Sequence, residues 1–322
     1  MTDFNYRLCN TDDPEERLED AAMWKALHDV HGDNIRALGV DEDPDPSSVF
    51  FGRTSKKMQA MGKVDGIGLR PLKYCQMPAF TENAGRQFDV IDDIFEAEDR
   101  AREIMREHGA VFMKSTRQKH FAHYFDDPDV FDDIMEGMAF SFIDGGPALM
   151  VQEPVKMRYE QRFLFVEGDL ITSSPVAYHL TPLANLPKGA QFATPSSKKP
   201  EIAPARDLTA FACHVATQAG LDAVCIDCAW DYSADKPLVI EFNEFHVGQM
   251  GLYNCDPTAI AEATLRPVFK TVLVPGKKKP STTLTFDEHI GQVLDRLGLS
   301  EGDELEIQDE DFDDDLPVRS GP

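Results

Sequence analysis

The sequence predicts an α+β protein of more than one lobe, in which helices alternate with short strands. Three patterns support this class. Apolar residues recur at helical spacing from Ile94 to Met105, and Gly109 supplies a stop before a short apolar strand. Residues 161–177 are typical of two strands joined by a Glu-Gly-Asp turn. Residues 223–245 are typical of a second hairpin, so we expect helices packed on antiparallel sheets.

The rest of the chain gives further elements from the same kinds of pattern. In chain order, these are one or two helices over 18–38, a strand over 110–114, a helix over 130–138, a strand over 148–155, a helix over 208–219 capped by Asp207, a helix over 257–269 and a small amphipathic unit over 286–299. Residues 181–204 are rich in Pro, Lys and Ser and predict a long surface loop.

The composition restricts the function classes. With 322 residues, 42% of them hydrophobic, the chain can bury a large core. No apolar run reaches the roughly 20 residues that a membrane helix needs, so we expect a cytoplasmic protein that does not enter membranes. The net charge of -25 repels a phosphate backbone, so nucleic acid is not expected as a partner. The six cysteines are scattered in a chain of this size, which favours reduced thiols.

Part of the negative charge lies near the end of the sequence. Residues 301–315 contain ten acidic side chains, and only Arg319 offsets them afterwards. A block of like charge repels itself and buries little surface, so the sequence predicts a disordered, solubilising tail over 308–322. A tail that binds a partner is the alternative.

Three polar side chains are expected to converge on the second hairpin. Residues i and i+2 of a strand face the same way, so Glu241 and Asn243 share one face while Ile240 and Phe242 share the other. The turn can bring Asp227 of the partner strand close to Glu241 and Asn243. Such oxygen ligands suit Mg²⁺ when phosphate oxygens complete its coordination, and removing one of them should relieve repulsion. A solvent-facing polar surface is the alternative.

The same alternation bears on a Cys-x-x-Cys motif in this hairpin. Cys225 and Cys228 are expected on opposite faces of one strand, so neither a zinc ion nor a redox disulfide fits the pair. We therefore predict that both cysteines are structural.

Basic residues follow the strand that ends at Lys114. A lysine at a strand end can reach a phosphate as a point charge, and Arg117 and Lys119 add positive potential in an acidic protein. A solvated basic loop is the alternative. Farther along, His246 is a candidate acid or base, although a lone histidine at a strand end more often has a structural role.

The strand over 148–155 and the segment after it contain candidate nucleotide contacts. Pro154 leaves neighbouring backbone groups able to bind something other than a sheet neighbour, such as an adenine edge. Glu160 could accept from ribose hydroxyls, and Arg162 could hold a phosphate or a carboxylate as a fork, with surface ion pairs as the alternative. The candidate cofactor contacts on the strand itself are Gln152, Glu153 and Val155.

Taken in order, these segments resemble the ATP-grasp superfamily across roughly residues 90–270. The resemblance lies in Val111-Phe112-Met113-Lys114, Val151-Gln152-Glu153-Pro154-Val155, Glu160-Gln161-Arg162-Phe163, Asp227 and Val239-Ile240-Glu241-Phe242-Asn243-Glu244. The segment from Lys114 to Lys119 and the run Gly251-Leu252-Tyr253 look like a divergent phage and bacterial clade. That clade includes relatives of a eukaryotic translation-initiation assembly factor.

The resemblance implies a fold and a set of cofactors. The fold would consist of two α+β lobes whose antiparallel sheets sandwich the nucleotide, after an N-terminal lobe. The implied domains are an N-terminal lobe over 1–90, an ATP-grasp domain over 91–275 and a small C-terminal extension over 276–307, before the tail. ATP and Mg²⁺ are the implied cofactors.

The resemblance also implies a role for each matching residue. These roles are phosphate binding for Lys114, adenine binding for Glu153 and Val155, ribose binding for Glu160, and magnesium binding for Asp227, Glu241 and Asn243. The glycine-rich phosphate loop usual in the family is missing, because residues 115–120 contain no glycine. Arg117 and Lys119 would take its place. Lys114 and Arg162 would be the catalytic residues, since they would stabilise the phosphoryl group during its transfer.

The implied reaction is phosphoryl transfer from ATP to a carboxylate, which gives an acyl phosphate that an amine attacks to form an amide. The chain would then be an ATP-dependent carboxylate-amine ligase, and peptides or proteins are one class of acceptor. Two alternatives remain open. One is an ATP-grasp kinase that phosphorylates a hydroxyl, and the other is a non-catalytic assembly module that binds ATP without turnover.

Overall fold

The structure is a computed structural model that describes much of the chain between residues 4 and 269. The described residues are 4–8, 14–39, 42, 48–52, 73–116, 121–141, 148–174, 208–231, 233–243, 245, 247 and 251–269. The predictions for Arg117, Lys119, Asp207, His246, the loop 181–204, the unit 286–299 and the tail 308–322 lie outside these residues.

The helices and strands have the following bounds. The helices are α1 (Pro14–His31), α2 (Pro78–Thr81), α3 (Ile94–His108), α4 (Pro128–Ser141), α5 (Thr209–Ala219) and α6 (Pro257–Ala263). The strands are β1 (Phe4–Arg7), β2 (Ile35–Leu38), β3 (Val49–Gly52), β4 (Phe88–Ile91), β5 (Val111–Ser115), β6 (Ala122–Phe125), β7 (Leu149–Gln152), β8 (Met157–Val166), β9 (Asp169–Ser173), β10 (Ala223–Asp231) and β11 (Lys236–Asn243). No helix within the described ranges is both long and apolar enough to cross a membrane.

These strands form three sheets in the part of the chain that the structure describes. The N-terminal sheet is parallel and has the order β2-β1-β3. The other two sheets are antiparallel, in the orders β4-β7-β5-β6 and β11-β10-β8-β9. The predicted α+β class with antiparallel sheets is therefore confirmed. Lys114 lies on the first antiparallel sheet, whereas Asp227, Glu241 and Asn243 lie on the second.

The N-terminal region differs from its prediction. Of the one or two helices expected over 18–38, α1 ends at His31, and Ile35–Leu38 is a strand instead. Ile35 and Leu38 are both buried, and residues at this spacing fit one face of a helix as well as the two ends of a short strand. Parallel pairing with Phe4–Arg7, which lies far upstream, favours the strand.

Local sequence explains several element boundaries. Asp93 caps α3 by accepting from two backbone amides of its first turn, and Gly109 ends the helix with a φ of 75°. Glu167 and Gly168 both have positive φ, as expected for a tight turn between two strands. The strand predicted over 148–155 ends earlier, before Pro154, which cannot donate to a ladder. The helix predicted over 257–269 is also shorter, because α6 ends and a 3-10 turn follows.

Shared hydrophobic cores hold the sheets together. One core joins Phe163 and Val239 of the second antiparallel sheet to Met150 of the first, with Tyr74 and Phe80 from the segment before β4 packed into it. Another core joins the N-terminal parallel sheet to α1, α6 and the second antiparallel sheet. The segment that leads into β4 thus packs beside the edge where Lys114 and Glu241 lie.

A β-bulge interrupts the β10-β11 hairpin beside its polar residues. The register shifts directly after Asp227, whose partner is Glu241, so Ile240 is an extra residue on its strand. Val239 and Phe242 consequently pack into the same core, although an unbroken strand would place them on opposite faces. The bulge keeps Glu241 beside Asp227 while both flanking segments still bury apolar side chains.

Candidate active site

The three predicted magnesium ligands converge as strand alternation predicts. Asp227 lies opposite Glu241, and Asn243 follows on the same face of β11. Asn243 Nδ2 donates to Asp227 Oδ2 and to Glu241 Oε1, each at 2.9 Å. Asp227 is 3% exposed and Asn243 is 9% exposed, so the alternative of a solvent-facing polar surface is wrong.

Lys114 joins this group from the other antiparallel sheet. Its Nζ donates to Glu241 Oε2 at 2.7 Å and lies 5.3 Å from the centre of the Tyr74 ring. Burial lowers the pKa of Lys114, but Glu241 and Tyr74 outweigh burial and raise the pKa above its usual range. Lys114 is therefore a buried ammonium rather than part of a solvated loop. No sequence pattern pointed to Tyr74.

Arg162 and Asp227 form a forked, buried ion pair. Arg162 Nε donates to Asp227 Oδ1 at 2.8 Å, and Nη2 donates to Oδ2 at 2.7 Å. The remaining nitrogen, Nη1, donates to the Gly251 carbonyl oxygen at 2.8 Å, and the Tyr253 ring centre lies 4.2 Å from the guanidinium carbon. Both partners of the pair are almost fully buried, so the surface-ion-pair alternative is wrong for Arg162.

Each of the two carboxylates that were expected to repel each other is paired with a cation. Burial raises the pKa of Glu241, but Lys114 and the Asn243 amide outweigh burial and lower the pKa to about 2. Burial raises the pKa of Asp227, and Arg162 offsets part of that rise. The charge of Glu241 also raises the pKa of Asp227, so the expectation that removing one ligand relieves repulsion stays a prediction. Removing Glu241 would at the same time leave the Lys114 ammonium without its carboxylate.

Glu160 lies buried beside the same ion pairs. Its Oε2 has no hydrogen-bond partner among the described residues. Burial and the charges of Asp227 and Glu241 raise the pKa of Glu160 well above its usual range. The surface-ion-pair alternative is therefore wrong for Glu160 as well. A buried carboxyl oxygen without a partner can accept from a hydroxyl group or contact a cation.

The predicted adenine contacts lie directly after β7. The Glu153 amide donates to the Gln87 carbonyl oxygen at 3.1 Å, and the Glu153 carboxylate lies 3.7 Å from His108 Nε2. The Val155 carbonyl oxygen accepts from the Met157 amide at 3.0 Å. The Glu153 side chain thus makes its contacts outside the ion-pair cluster. Arg117 and Lys119 are not among the described residues, so the structure does not place them.

Arg86 belongs to this region, although no motif in the sequence indicated it. Its Nε donates to Gln152 Oε1 at 2.5 Å, while Nη1 donates to the Val239 carbonyl oxygen at 2.8 Å and Nη2 to that of Ile240 at 3.0 Å. Burial lowers the pKa of Arg86 to about 10. The guanidinium ties β7 of one sheet to β11 of the other. The neighbouring Gly85 is the local sequence feature that fits this close packing, because a Cβ at that position would lie 2.9 Å from a side-chain carbon of β11.

The Cys-x-x-Cys motif is divided between two cores. Cys225 packs into the core that contains the N-terminal sheet, whereas Cys228 packs into the core that contains Phe242. Burial raises the pKa of both thiols well above their usual range. The prediction that the two cysteines lie on opposite faces is confirmed.

The donor set at the hairpin fits a magnesium ion. Asp227, Glu241 and Asn243 supply hard oxygen donors, and the unpartnered Oε2 of Glu160 lies beside them. Within the described ranges, no three His, Cys, Asp or Glu side chains form a metal-binding group by themselves. A magnesium ion held here would therefore depend on the Asn243 amide and on phosphate oxygens as well as on the carboxylates.

Comparison with known proteins places the fold. No protein-family model and no curated protein matches the chain. The crystal structure of D-cycloserine synthetase DcsG matches with 13% sequence identity and a TM-score of 0.52, over 82% of this chain and 99% of the synthetase. The ATP-grasp ligase PsnB complexed with minimal precursor matches with 11% identity and a TM-score of 0.47, over 82% and 98% of the two chains. D-alanyl-alanine synthetase A from Vibrio cholerae O1 biovar eltor matches with 12% identity and a TM-score of 0.49, over 84% and 96%.

Of these three matches, we infer the fold only from D-cycloserine synthetase, because the other two TM-scores are below 0.5. At so low a sequence identity, a match shows a shared fold and not a shared reaction. The match extends over most of this chain and nearly the whole length of the synthetase. The chain therefore has the fold of the ATP-grasp ligases, as its ordered motifs predict.

Proposed function

We propose that this chain is an ATP-dependent ligase that activates a carboxylate as an acyl phosphate for attack by an amine. The observation that carries the proposal is the cluster of Lys114, Glu241, Asn243, Asp227 and Arg162, which two antiparallel sheets of an ATP-grasp fold bring together. Cations and hard oxygen donors side by side suit a polyphosphate and its metal ion, because each charge on the ligand then meets a fixed partner.

Asp227, Glu241 and Asn243 are the residues that would hold magnesium. Bound magnesium would supply neutralisation of the charge on the phosphate oxygens. The protein contributes a fixed spacing of the donors, because Asn243 Nδ2 binds both carboxylates at 2.9 Å. One side chain therefore sets the separation of the other two.

Lys114 and Arg162 would stabilise the transferring phosphoryl group. Lys114 has a raised pKa and keeps its charge at neutral pH, and its hydrogen bonds to Glu241 and Tyr74 leave one of its three protons for a phosphate oxygen. Arg162 presents a planar fork that suits carboxylate and phosphate oxygens alike. Because the two cations come from different sheets, they would contact a phosphoryl group from two sides.

The chemistry of the cluster favours a carboxylate as the acceptor. A carboxylate is ionised at neutral pH and needs no base, whereas a hydroxyl group must lose a proton. The described histidines make their contacts elsewhere: His31 bonds to Thr264 and His108 lies near Glu153. His28 lies beside Trp24, His123 lies beside Phe125, and His214 is exposed on α5. We therefore propose amide formation, with peptide or protein carboxylates as one class of acceptor. In the kinase alternative, Glu160 is the group that would serve as base.

The adenosine would lie along the end of β7. The proposed contacts are Gln152, Glu153 and Val155 for the adenine, Glu160 for the ribose, and Arg117 and Lys119 for the phosphates. Two observations support this arrangement. Arg86 fixes Gln152 to the backbone of β11, and Glu160 keeps a buried oxygen without a partner among the described residues.

A hydroxylamine trap tests the proposal. The protein is incubated with ATP, magnesium and pools of carboxylates, peptides and cell extract, with and without hydroxylamine. A hydroxamate formed in equal amount with ADP supports the ligase. Glu241→Gln should abolish it, whereas Glu262→Gln, the same change at an exposed position on α6, should not.

Three other outcomes would contradict the proposal. A phosphoester that hydroxylamine leaves intact would indicate the kinase alternative. AMP and pyrophosphate would indicate adenylation. ATP binding without any turnover against all pools would indicate the non-catalytic assembly module.

A further inference from the structure

Glu19 lies on the N-terminal helix α1, yet its carboxylate binds a loop of the active site. Its Oε2 accepts from the Leu252 amide and its Oε1 accepts from the Tyr253 amide, each at 2.9 Å. Hydrogen bonds to an ionised acceptor are stronger than neutral ones, and two on adjacent amides fix the direction of the chain. Glu19 is itself held in place, because α1 packs against α6 in a shared core.

The loop at 251–254 has a backbone conformation that needs such support. Tyr253 has a φ of 48° and Asn254 has a φ of 63°. Left-handed backbone is unfavourable for residues that have a Cβ, and consecutive examples persist only where surrounding contacts hold them. The two hydrogen bonds from Glu19 reach this segment directly.

The same loop makes the contacts that orient Arg162. The Gly251 carbonyl oxygen accepts from Arg162 Nη1 at 2.8 Å, and the Tyr253 ring lies over the guanidinium group at 4.2 Å. The other two guanidinium nitrogens are bound to Asp227. The loop therefore fixes the part of Arg162 that Asp227 does not reach.

We propose that Glu19 is a positioning residue, which sets the orientation of Arg162 through the loop at 251–254. The inference rests on the proposed function insofar as Arg162 stabilises the phosphoryl group. It adds that the active site depends on the N-terminal helix through one carboxylate. Glu19 acts on Arg162 only through the backbone and the Tyr253 ring, so it needs no contact with substrate.

Two variants and a matched control test this inference. Glu19→Gln keeps the shape of the side chain but replaces the ionised acceptor with one neutral carbonyl oxygen, and Glu19→Ala removes both hydrogen bonds. Asp29→Asn makes the same loss of charge at an exposed position on the same helix. Hydrogen exchange of the 251–254 amides reports on the loop, and the NMR signal of Arg162 Nε-H reports on the guanidinium without requiring turnover.

In Glu19→Gln, we expect exchange at Leu252 and Tyr253 to rise by about tenfold, the effect of losing about 1.4 kcal/mol of protection. The Arg162 Nε-H signal should broaden or shift. The rate of hydroxamate formation at saturating ATP should fall by about tenfold while the KM for ATP changes by less than about twofold, because orientation affects the transferring group more than the bound nucleotide. Asp29→Asn should change none of these quantities.

Unchanged amide exchange or an unchanged Arg162 signal in Glu19→Gln would overturn the inference, whatever the activity shows. If Glu19→Ala fails to fold, the isosteric Glu19→Gln still decides the question. A wild-type protein that forms no hydroxamate would defeat the proposed function alone, because both spectroscopic readouts remain. A double variant with Tyr253→Leu adds a further check, since the two losses in rate should not be additive if both act through Arg162.

Discussion

Lys114 Nζ and Glu241 Oε2 lie 2.7 Å apart, and the contact joins β5 of one antiparallel sheet to β11 of the other. Lys114 is buried and Glu241 is half-buried, so water cannot fully replace either partner. The same carboxylate that pairs with Lys114 is held by Asn243 on its other oxygen. The stability of the protein and the proposed chemistry therefore both depend on the Glu241 side chain.

Glu241→Gln should destabilise the protein as well as impair the site. The change leaves the Lys114 ammonium buried without its carboxylate, and we expect a loss of about 1 to 3 kcal/mol in the free energy of unfolding, because Glu241 is partly solvated. Urea denaturation measures it. The double variant Lys114→Met/Glu241→Gln should recover part of the loss, and no recovery would argue against the ion pair as its cause.

The contribution of Glu241 to stability should disappear in acid. Its folded pKa of about 2 is below the ordinary value of 4.5, so its stabilisation is fully present above pH 4.5 and is lost as the pH falls towards 2. The difference in unfolding free energy between wild type and Glu241→Gln should therefore shrink across this window. A difference that stays constant from neutral pH to the acid limit would contradict the lowered pKa.

Glu160→Gln should stabilise the folded protein, whereas Glu241→Gln should destabilise it. The pKa of Glu160 is raised by burial and by two neighbouring carboxylates, so the carboxyl group destabilises the folded protein above its unfolded pKa, and this penalty vanishes at lower pH. The variant should therefore unfold at higher urea concentration than wild type at pH 8, and by a smaller margin at pH 5. Glu262→Gln is the matched exposed control, and ATP affinity should fall in Glu160→Gln only.

Gly85→Ala and Gly220→Ala should together distinguish steric overpacking from backbone strain. Gly85 has a φ of 68°, and a Cβ there would lie 2.9 Å from Leu238 Cβ, whereas Gly220 has a φ of 60° with open space around it. Gly220→Ala should cost about 1 kcal/mol from the backbone alone. Gly85→Ala should cost about 1 to 3 kcal/mol more, from overpacking against β11. Equal melting temperatures for the two variants would show that the Gly85 contact relaxes freely.

Arg162→Lys should reduce turnover although the charge is kept. Lysine cannot reproduce the two parallel hydrogen bonds to Asp227 together with the bond to the Gly251 carbonyl oxygen. We expect the rate of hydroxamate formation to fall by about a hundredfold, the usual effect of removing one fixed donor from a transition-state site. Arg100→Lys, on the outer surface of α3, is the control. A similar loss in both variants would indicate a general effect on folding.

Strand alternation made part of the site predictable. The period of two residues placed Glu241 and Asn243 on one face, and the turn placed Asp227 opposite them, as the structure confirms. The same period separated Cys225 from Cys228. These relationships depend only on neighbours in a hairpin, so a short stretch of sequence contains them.

Other parts could not be predicted because they depend on contacts distant in the chain. The strand at Ile35–Leu38 is too short to show a period of two, and its parallel pairing with β1 has no local signature. Arg86 and Glu19 act through backbone carbonyls and amides, which all residues except proline possess, so these contacts leave no mark in the sequence. The pairing of each carboxylate with its own cation was also hidden, because Lys114 lies on a different sheet from Glu241.

At the bulge, the extra residue Ile240 shifts the alternation of the two faces of β11 by one position. Before it, the odd-numbered Val239 faces a core, and after it, the odd-numbered Glu241 faces the polar cluster. Deleting Ile240 would leave a regular ladder with Val239 and Glu241 on the faces they occupy now, because only the extra residue would be lost. If the present sequence formed this strand without the bulge, Val239 and Glu241 would lie on the same face, and one of them would have to leave its core or its polar cluster.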